Sequence, residues 1–170
     1  MERPARPVSE EIGPLVTQLT VSDVAQAVTF YKSAFGADEL YRGRRDGEQR
    51  IFYSELLVGG GRMLLQDEFP EYGLLSPLKL GGTVVTMHLY VEDVEGTFAQ
   101  AVAAGAREIA PITLKFWGAK AGLLQDPFGH RWIVSAFVED LSPDEILQRA
   151  RTSPPEERLP ISPAKRTIPD

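Results

Sequence analysis

Leu19-Thr20-Val21-Ser22-Asp23-Val24 is repeated as Leu89-Tyr90-Val91-Glu92-Asp93-Val94, with every matched position 70 residues apart. Each copy reads as a strand that stops at an Asp, and the Asp caps the amphipathic helix that follows. Both helices end at a glycine, in Ala34-Phe35-Gly36-Ala37 and, after one residue fewer, in Ala104-Gly105-Ala106. A period of 70 residues is too long for a solenoid unit and too short for two independent domains. The repeat therefore predicts two half-domains that share a core, with a symmetric cleft between them as the place to look for function.

Working outward, the first half opens with a strand over 15–22 and continues into a helix whose Val24, Ala27, Val28, Tyr31 and Phe35 fall on one face. Strands are predicted at 39–44, 51–58 and 62–67, turned by Asp46-Gly47 and Gly59-Gly60-Gly61. The second half repeats the order: a strand over 84–92, a helix with Val94, Phe98, Ala101, Val102 and Gly105 on one side, then strands near 107–112, 121–125 and 131–138. Asp126-Pro127-Phe128-Gly129 has the residues of a type I turn. Between the halves, 69–82 has no clean period and holds two Pro and three Gly, which reads as a linker or a lid. Ser142-Pro143-Asp144-Glu145 opens a short helix. The fold class is α+β, two βαβββ modules that share a core, with a central cleft between them. The organisation is a flexible N-terminus (1–14), one domain (15–140; module one 15–68, linker 69–82, module two 83–140), and a short helix with an extended tail (141–170). That tail offers an arm for a neighbouring subunit, and a homodimer is expected.

Composition narrows the function. The apolar share of 43% supports a real core, and the net charge of −6 argues against a nucleic-acid partner. The cluster from Arg42 to Arg45 reads as a solvated strand end. No apolar run reaches the length of a membrane span, the N-terminus lacks the apolar stretch of a secretory signal, and a cytoplasmic location is the default expectation. The absence of cysteine excludes disulfides, thiolate nucleophiles and thiolate metal sites. With two histidines, neither beside a serine, nothing points to a hydrolytic triad.

Several motifs in order carry a resemblance. They are Phe30-Tyr31-Lys32-x-x-Phe35-Gly36-Ala37, His88-Leu89-Tyr90-Val91-x-Asp93-Val94, Ala103-Ala104-Gly105-Ala106, Phe116-Trp117-Gly118 and Asp126-Pro127-Phe128-Gly129-His130-Arg131-Trp132. Over roughly 15–140 the chain resembles the vicinal oxygen chelate superfamily of glyoxalases, bleomycin-resistance proteins and extradiol dioxygenases, and its PhnB-like branch most. The resemblance implies modules that curl into half-barrels around a pocket. In the metal enzymes of the family, four inward residues from the first and last strand of each module hold one divalent cation, a Lewis acid toward two adjacent substrate oxygens.

Strand parity tests for that site. Met87, Leu89 and Val91 are apolar and are predicted to face the helix, which turns Thr86, His88 and Tyr90 to the pocket; the same register turns Val16, Gln18 and Thr20 inward. The family's ligand positions then fall on Val16, Leu65, Thr86 and Ile133. Hard cations take carboxylate or imidazole, and these four offer neither. The expectation is no metal at the usual seats and no cofactor. The rival is a displaced set two residues further on, in which Gln18, Asp67 and His88, with Ser135 as a poor fourth, hold a divalent metal ion.

Other candidates surround the pocket. Phe116 and Trp117, adjacent to Gly118 at the mouth implied by the resemblance, would form a stacking wall or pack into the core. The acidic residues that flank this motif in resembling sequences are replaced by Leu114 and Ala119, which makes the pocket more apolar. Glu55 shares a strand face with Tyr53; in a closed apolar pocket its raised pKa would suit a general base, and otherwise it is an exposed strand glutamate. Phe69 and Tyr72 would close over a ligand or staple the linker to the body. His130 is expected to bond backbone within its turn. The leading reading is a metal-free protein that binds a small hydrophobic or aromatic molecule through Gln18, His88, Tyr90, Phe116, Trp117 and Phe69, with antibiotic or natural-product sequestration as one version. The rivals are a metal-dependent lyase, isomerase or dioxygenase, metal-free acid–base catalysis by Glu55 or His88, and an assembly module with a vestigial pocket.

Overall fold

Alternation in the strands and the capped helices between them build two copies of one unit. The computed structural model describes residues 15–44 and 47–154. The expected flexible N-terminus, the Asp46 half of the first turn and the tail from 155 onward lie outside the described residues. Module one comprises β1 (Thr17–Val21), α1 (Val24–Phe35), β2 (Asp38–Arg44), β3 (Ile51–Val58) and β4 (Gly61–Asp67). A short α2 (Pro77–Leu80) stands in the linker. Module two comprises β5 (Thr86–Tyr90), α3 (Val94–Ala103), β6 (Arg107–Leu114), β7 (Ala119–Gln125) and β8 (Arg131–Phe137), and α4 (Pro143–Thr152) follows. The class is α+β, as expected. No helix among the described residues is long and apolar enough to cross a membrane.

The two sheets have the same order, β1-β4-β3-β2 and β5-β8-β7-β6. In each, the first and last strands of the module run parallel at one edge and the other pairs are antiparallel. Local chemistry sets the joints. Asp23 Oδ1 accepts the Gln26 N–H at 2.9 Å, and Asp93 Oδ1 accepts the Gly96 N–H at 2.9 Å, so the repeated Asp caps both helices. Gly36 ends α1 in the left-handed region at φ 64°, where a side chain would be strained. Asp67 caps from a distance: its carboxylate accepts the Val24 N–H at 2.7 Å and the Ile51 N–H at 2.5 Å.

The modules meet through their helices. Leu19, Val21, Val28 and Leu65 of module one join Leu89, Val94, Phe98 and Val134 of module two in one continuous core. The strands of the two sheets do not pair with each other. The expected hollow between the halves is therefore refined: within one chain the modules press their helical sides together and do not close their other faces on one another. A surface cavity of about 500 Å³ lies along this seam, lined by Thr29, Phe30, Ser33, Ala104, Pro127 and Phe128, none of them an expected site residue.

One buried carboxylate locks the seam. Asp126, in the turn of module two, accepts hydrogen bonds from the Tyr31 hydroxyl of α1 at 2.6 Å and the Trp132 indole at 3.0 Å. Its other oxygen accepts the backbone N–H groups of Phe128 and His130, each at 2.9 Å. Burial first, then the Asp126 charge, holds the Tyr31 phenol well above its ordinary pKa, so it stays a donor. Phe30, Phe35 and Phe128 surround the pair in edge and tilted contacts. The His130 ring bonds backbone outside its own turn, contrary to expectation: its Nε2 lies 3.1 Å from the Thr20 carbonyl of β1, across the seam.

The linker is also pinned. Ser76 donates to Glu68 through its hydroxyl at 2.6 Å and its N–H at 2.9 Å, and these bonds lower the Glu68 pKa. Phe69 is buried beneath the Arg50 guanidinium, 4.3 Å from ring centre, while Arg50 also grips Glu71. Phe69 thus staples the linker to the body, whereas Tyr72 is exposed.

Asp126→Ala leaves four donors without an acceptor and is expected to cost about 3 kcal/mol or more, against about 1–2 kcal/mol for Tyr31→Phe. Urea midpoints measure both, and an unchanged midpoint for Asp126→Ala refutes the lock. A pH dependence follows from His130. Burial lowers its pKa below the ordinary 6.5, only partly opposed by Asp126 and the Thr20 bond. The fold therefore favours the neutral ring: its contribution is complete above 6.5 and declines as pH falls through the lower folded value. Urea midpoints should fall on acidification from about pH 6.5, with a shallower fall in His130→Asn.

Candidate functional site

Parity along the strands separates a helix-packed face from an open face on each sheet. In module one, Leu19 pairs with Leu65, and both are in the core. The open face therefore carries Gln18 and Thr20 on β1, Arg62, Leu64 and Gln66 on β4, and Tyr53 and Glu55 on β3. In module two, Leu89 pairs with Val134 in the core, which places His88 and Tyr90 on the open face with Arg131, Ile133, Ser135 and Phe137 of β8.

The two open faces differ chemically. Module one presents a polar strip. Gln18 Nε2 donates to Gln66 Oε1 at 2.6 Å, and Gln66 Nε2 donates to the Thr20 hydroxyl at 2.9 Å. Beside it, buried Glu55 is ion-paired with Arg62 and accepts from the Tyr53 hydroxyl at 3.1 Å. Glu55 is thus neither an exposed glutamate nor a free base in an apolar pocket; its charge is committed to Arg62. Module two presents aromatic surface. Tyr90 and Phe137 stack with centroids 5.3 Å apart and planes within 3°. They remain 53% and 66% exposed, an unusual state for such a pair.

Phe116 and Trp117 form a T-shaped pair at 4.8 Å in the turn from β6 to β7, half-buried at the Phe137 end of the sheet. Gly118 anchors this turn: its carbonyl accepts from Val138 and Glu139, and a Cβ there would come within 2.9 Å of the Glu139 carbonyl. The structure therefore groups Tyr90, Phe116, Trp117 and Phe137 at one end of module two. It puts Gln18 on the other module and Phe69 under Arg50, off both open faces.

The expected metal seats need one correction. Ile133 lies opposite His88, and by the same register Leu64, not Leu65, lies opposite Gln18; Leu65 is fully buried against α1. The four seats thus read Val16, Leu64, Thr86 and Ile133. Three are aliphatic and one is a hydroxyl, so their chemistry does not fit a divalent cation. The displaced set is not assembled either. Asp67 pairs with Val21 on the helix-packed side and its two oxygens are taken by backbone N–H groups, away from Gln18 and His88. Among the described residues no group of three or more His, Cys, Asp or Glu could hold a metal ion.

Paired βαβββ modules with repeated Asp-capped helices define a class of fold before any relative is considered. The sequence model of the glyoxalase/bleomycin resistance protein/dioxygenase superfamily matches residues 12–134, and the chain belongs to that superfamily. An uncharacterized protein of Mycobacterium tuberculosis is 38% identical over 136 residues, covering 78% of this chain and 79% of its own. Among solved structures, an Arabidopsis thaliana gene product is 34% identical with a TM-score of 0.56, over 71% of this chain and 93% of that one. TioX from Micromonospora sp. ML1 is 29% identical with a TM-score of 0.58, over 73% of this chain and 98% of its own.

Asp67→Ala is expected to lower stability by about 2 kcal/mol, because it frees two backbone donors at once. Gln18→Ala, on an exposed row, should change it by less than about 0.5 kcal/mol. Thermal melts of the two variants compare a structural carboxylate with a surface amide.

Proposed function

We propose that this protein binds a small, flat, hydrophobic or aromatic molecule without a metal cofactor, and that it sequesters that molecule. The observation that carries the reading is the exposed Tyr90–Phe137 stack. Two parallel rings held out to solvent offer a ready face for a third. Val16, Leu64, Thr86 and Ile133, at the seats where family enzymes hold a cation, support the metal-free part. The family description, which includes bleomycin resistance proteins, supports sequestration of an antibiotic or natural product.

In this reading the working unit is a homodimer. The aromatic face of module two and the amide strip of module one are open within a single chain. A second copy related by a two-fold axis would cover both, the polar strip of one chain over the aromatic row of the other. The ligand would then stack on Tyr90 and Phe137, with Gln18 and His88 orienting its polar groups.

The neutral fluorescent probe N-phenyl-1-naphthylamine tests the aromatic site. It should bind the full chain, and Tyr90→Ala and Phe137→Ala should each weaken it about tenfold. Binding untouched by both substitutions removes the site from the proposal. Metal analysis of protein purified without chelator should find far less than one Mn, Fe, Ni or Zn per chain; a stoichiometric metal lost in His88→Ala returns the reading to a metal enzyme. Sedimentation should give twice the chain mass.

A further inference from the structure

The aromatic row does not end in apolar surface. Arg131 sits on the same open face as Tyr90 and Phe137, opposite Thr86 on β5 and Gln125 on β7. It is half-buried and forms no ion pair with any described residue. Arg107 reaches the same corner and donates to Gln125 Oε1 at 2.5 Å. His88 lies between this corner and Tyr90. Across the four strands no Asp or Glu occupies this face. The open positions are Thr86, His88 and Tyr90 on β5, Arg131, Ile133, Ser135 and Phe137 on β8, Ala119, Ala121, Leu123 and Gln125 on β7, and Arg107, Ala110 and Thr113 on β6. The only carboxylate at a paired position of these strands, Glu108, pairs with core residue Leu124 on the helix-packed side.

In a chain with net charge −6, a face with cations and no carboxylate is a local reversal of sign. The contrast with module one is direct: there the open-face Arg62 is neutralised by Glu55. A guanidinium withdrawn from water without a carboxylate partner favours an anion supplied from outside.

We infer that the ligand of this face is an elongated aromatic anion, a flat ring system carrying a carboxylate, sulfonate or similar acidic group. The inference rests on the proposed aromatic site and adds the charge and the length. Six residue steps separate Arg131 from Phe137, a span of about 20 Å, and about 13 Å separates Arg131 from the level of Tyr90. The rings lie on Tyr90 and Phe137, the body crosses His88, and the acidic end reaches Arg131.

A pair of probes separates the two claims. 6-(p-Toluidino)naphthalene-2-sulfonate, with its sulfonate at the end opposite the arylamine, carries the ring system of the neutral N-(p-tolyl)-2-naphthylamine plus one sulfonate. The anionic probe should bind the full chain at least tenfold more tightly than the neutral one. Arg131→Gln should abolish that preference and change neutral-probe binding by less than about twofold. Raising NaCl from about 0.05 to 0.5 M should weaken the anionic probe alone, a readout that needs no variant. Equal affinities for the two probes, or a preference that survives Arg131→Gln, overturn the anion assignment while leaving the aromatic site standing. If neither probe binds, or if both bind equally well in Tyr90→Ala and Phe137→Ala, the aromatic site and the anion assignment fall together.

Discussion

The structure depends on one buried carboxylate. Asp126 collects a phenol, an indole and two backbone N–H groups, and so ties a turn of module two to a helix of module one. A buried charge of this kind is tolerable only when its acceptor capacity is filled. Its hydrogen bonds therefore fix more than local geometry. They determine which sides of the two modules are brought together, and hence which sides remain available to a ligand or a second chain. His130 extends the same lock to the edge of β1, so the turn grips both the helix and the first strand of its sister module.

The chemistry of the open faces follows from that choice. With the helical sides committed to the core, each sheet keeps one face off that core, and the two differ in chemistry. Module one invests in amides and a neutralised ion pair; module two carries aromatic rings and basic residues. Residues that could serve a metal are spent on architecture. Asp67 holds the start of α1 and the start of β3. Asp23 and Asp93 cap helices, and Glu68 holds Ser76.

The fold was readable because its determinants are local. An Asp before each helix, a glycine after each, and apolar residues every second or every three to four positions recur at a constant offset, and a duplication repeats each signal. The site was readable where parity could be anchored. Met87, Leu89 and Val91 fix the face of β5, and His88 and Tyr90 then follow. On β4 the run Met63-Leu64-Leu65 is apolar on both faces, so parity has no anchor there, and the helix-packed side of Leu65 and Asp67 is set only by pairing with Leu19 and Val21. Phe137 carried a usable signal, since it shares the period of Ile133 and Ser135. Gln66 is placed only by the parallel pairing of β1 with β4 and Arg62 by the antiparallel pairing of β3 with β4, long-range registers that no local pattern encodes. The commitment of Glu55 to Arg62 and the stapling of Phe69 by Arg50 likewise depend on partners from neighbouring strands and loops.

Alternation along each strand also divides the consequences of mutation. A change at one parity reaches the shared interior and bears on whether the chain folds. A change at the next residue reaches the opposite face of the sheet, where Tyr90 and Phe137 are exposed, and leaves that interior untouched. Successive codons of β5 and β8 thus answer to different selective pressures, and the chemistry of the open face can drift widely while the scaffold stays still.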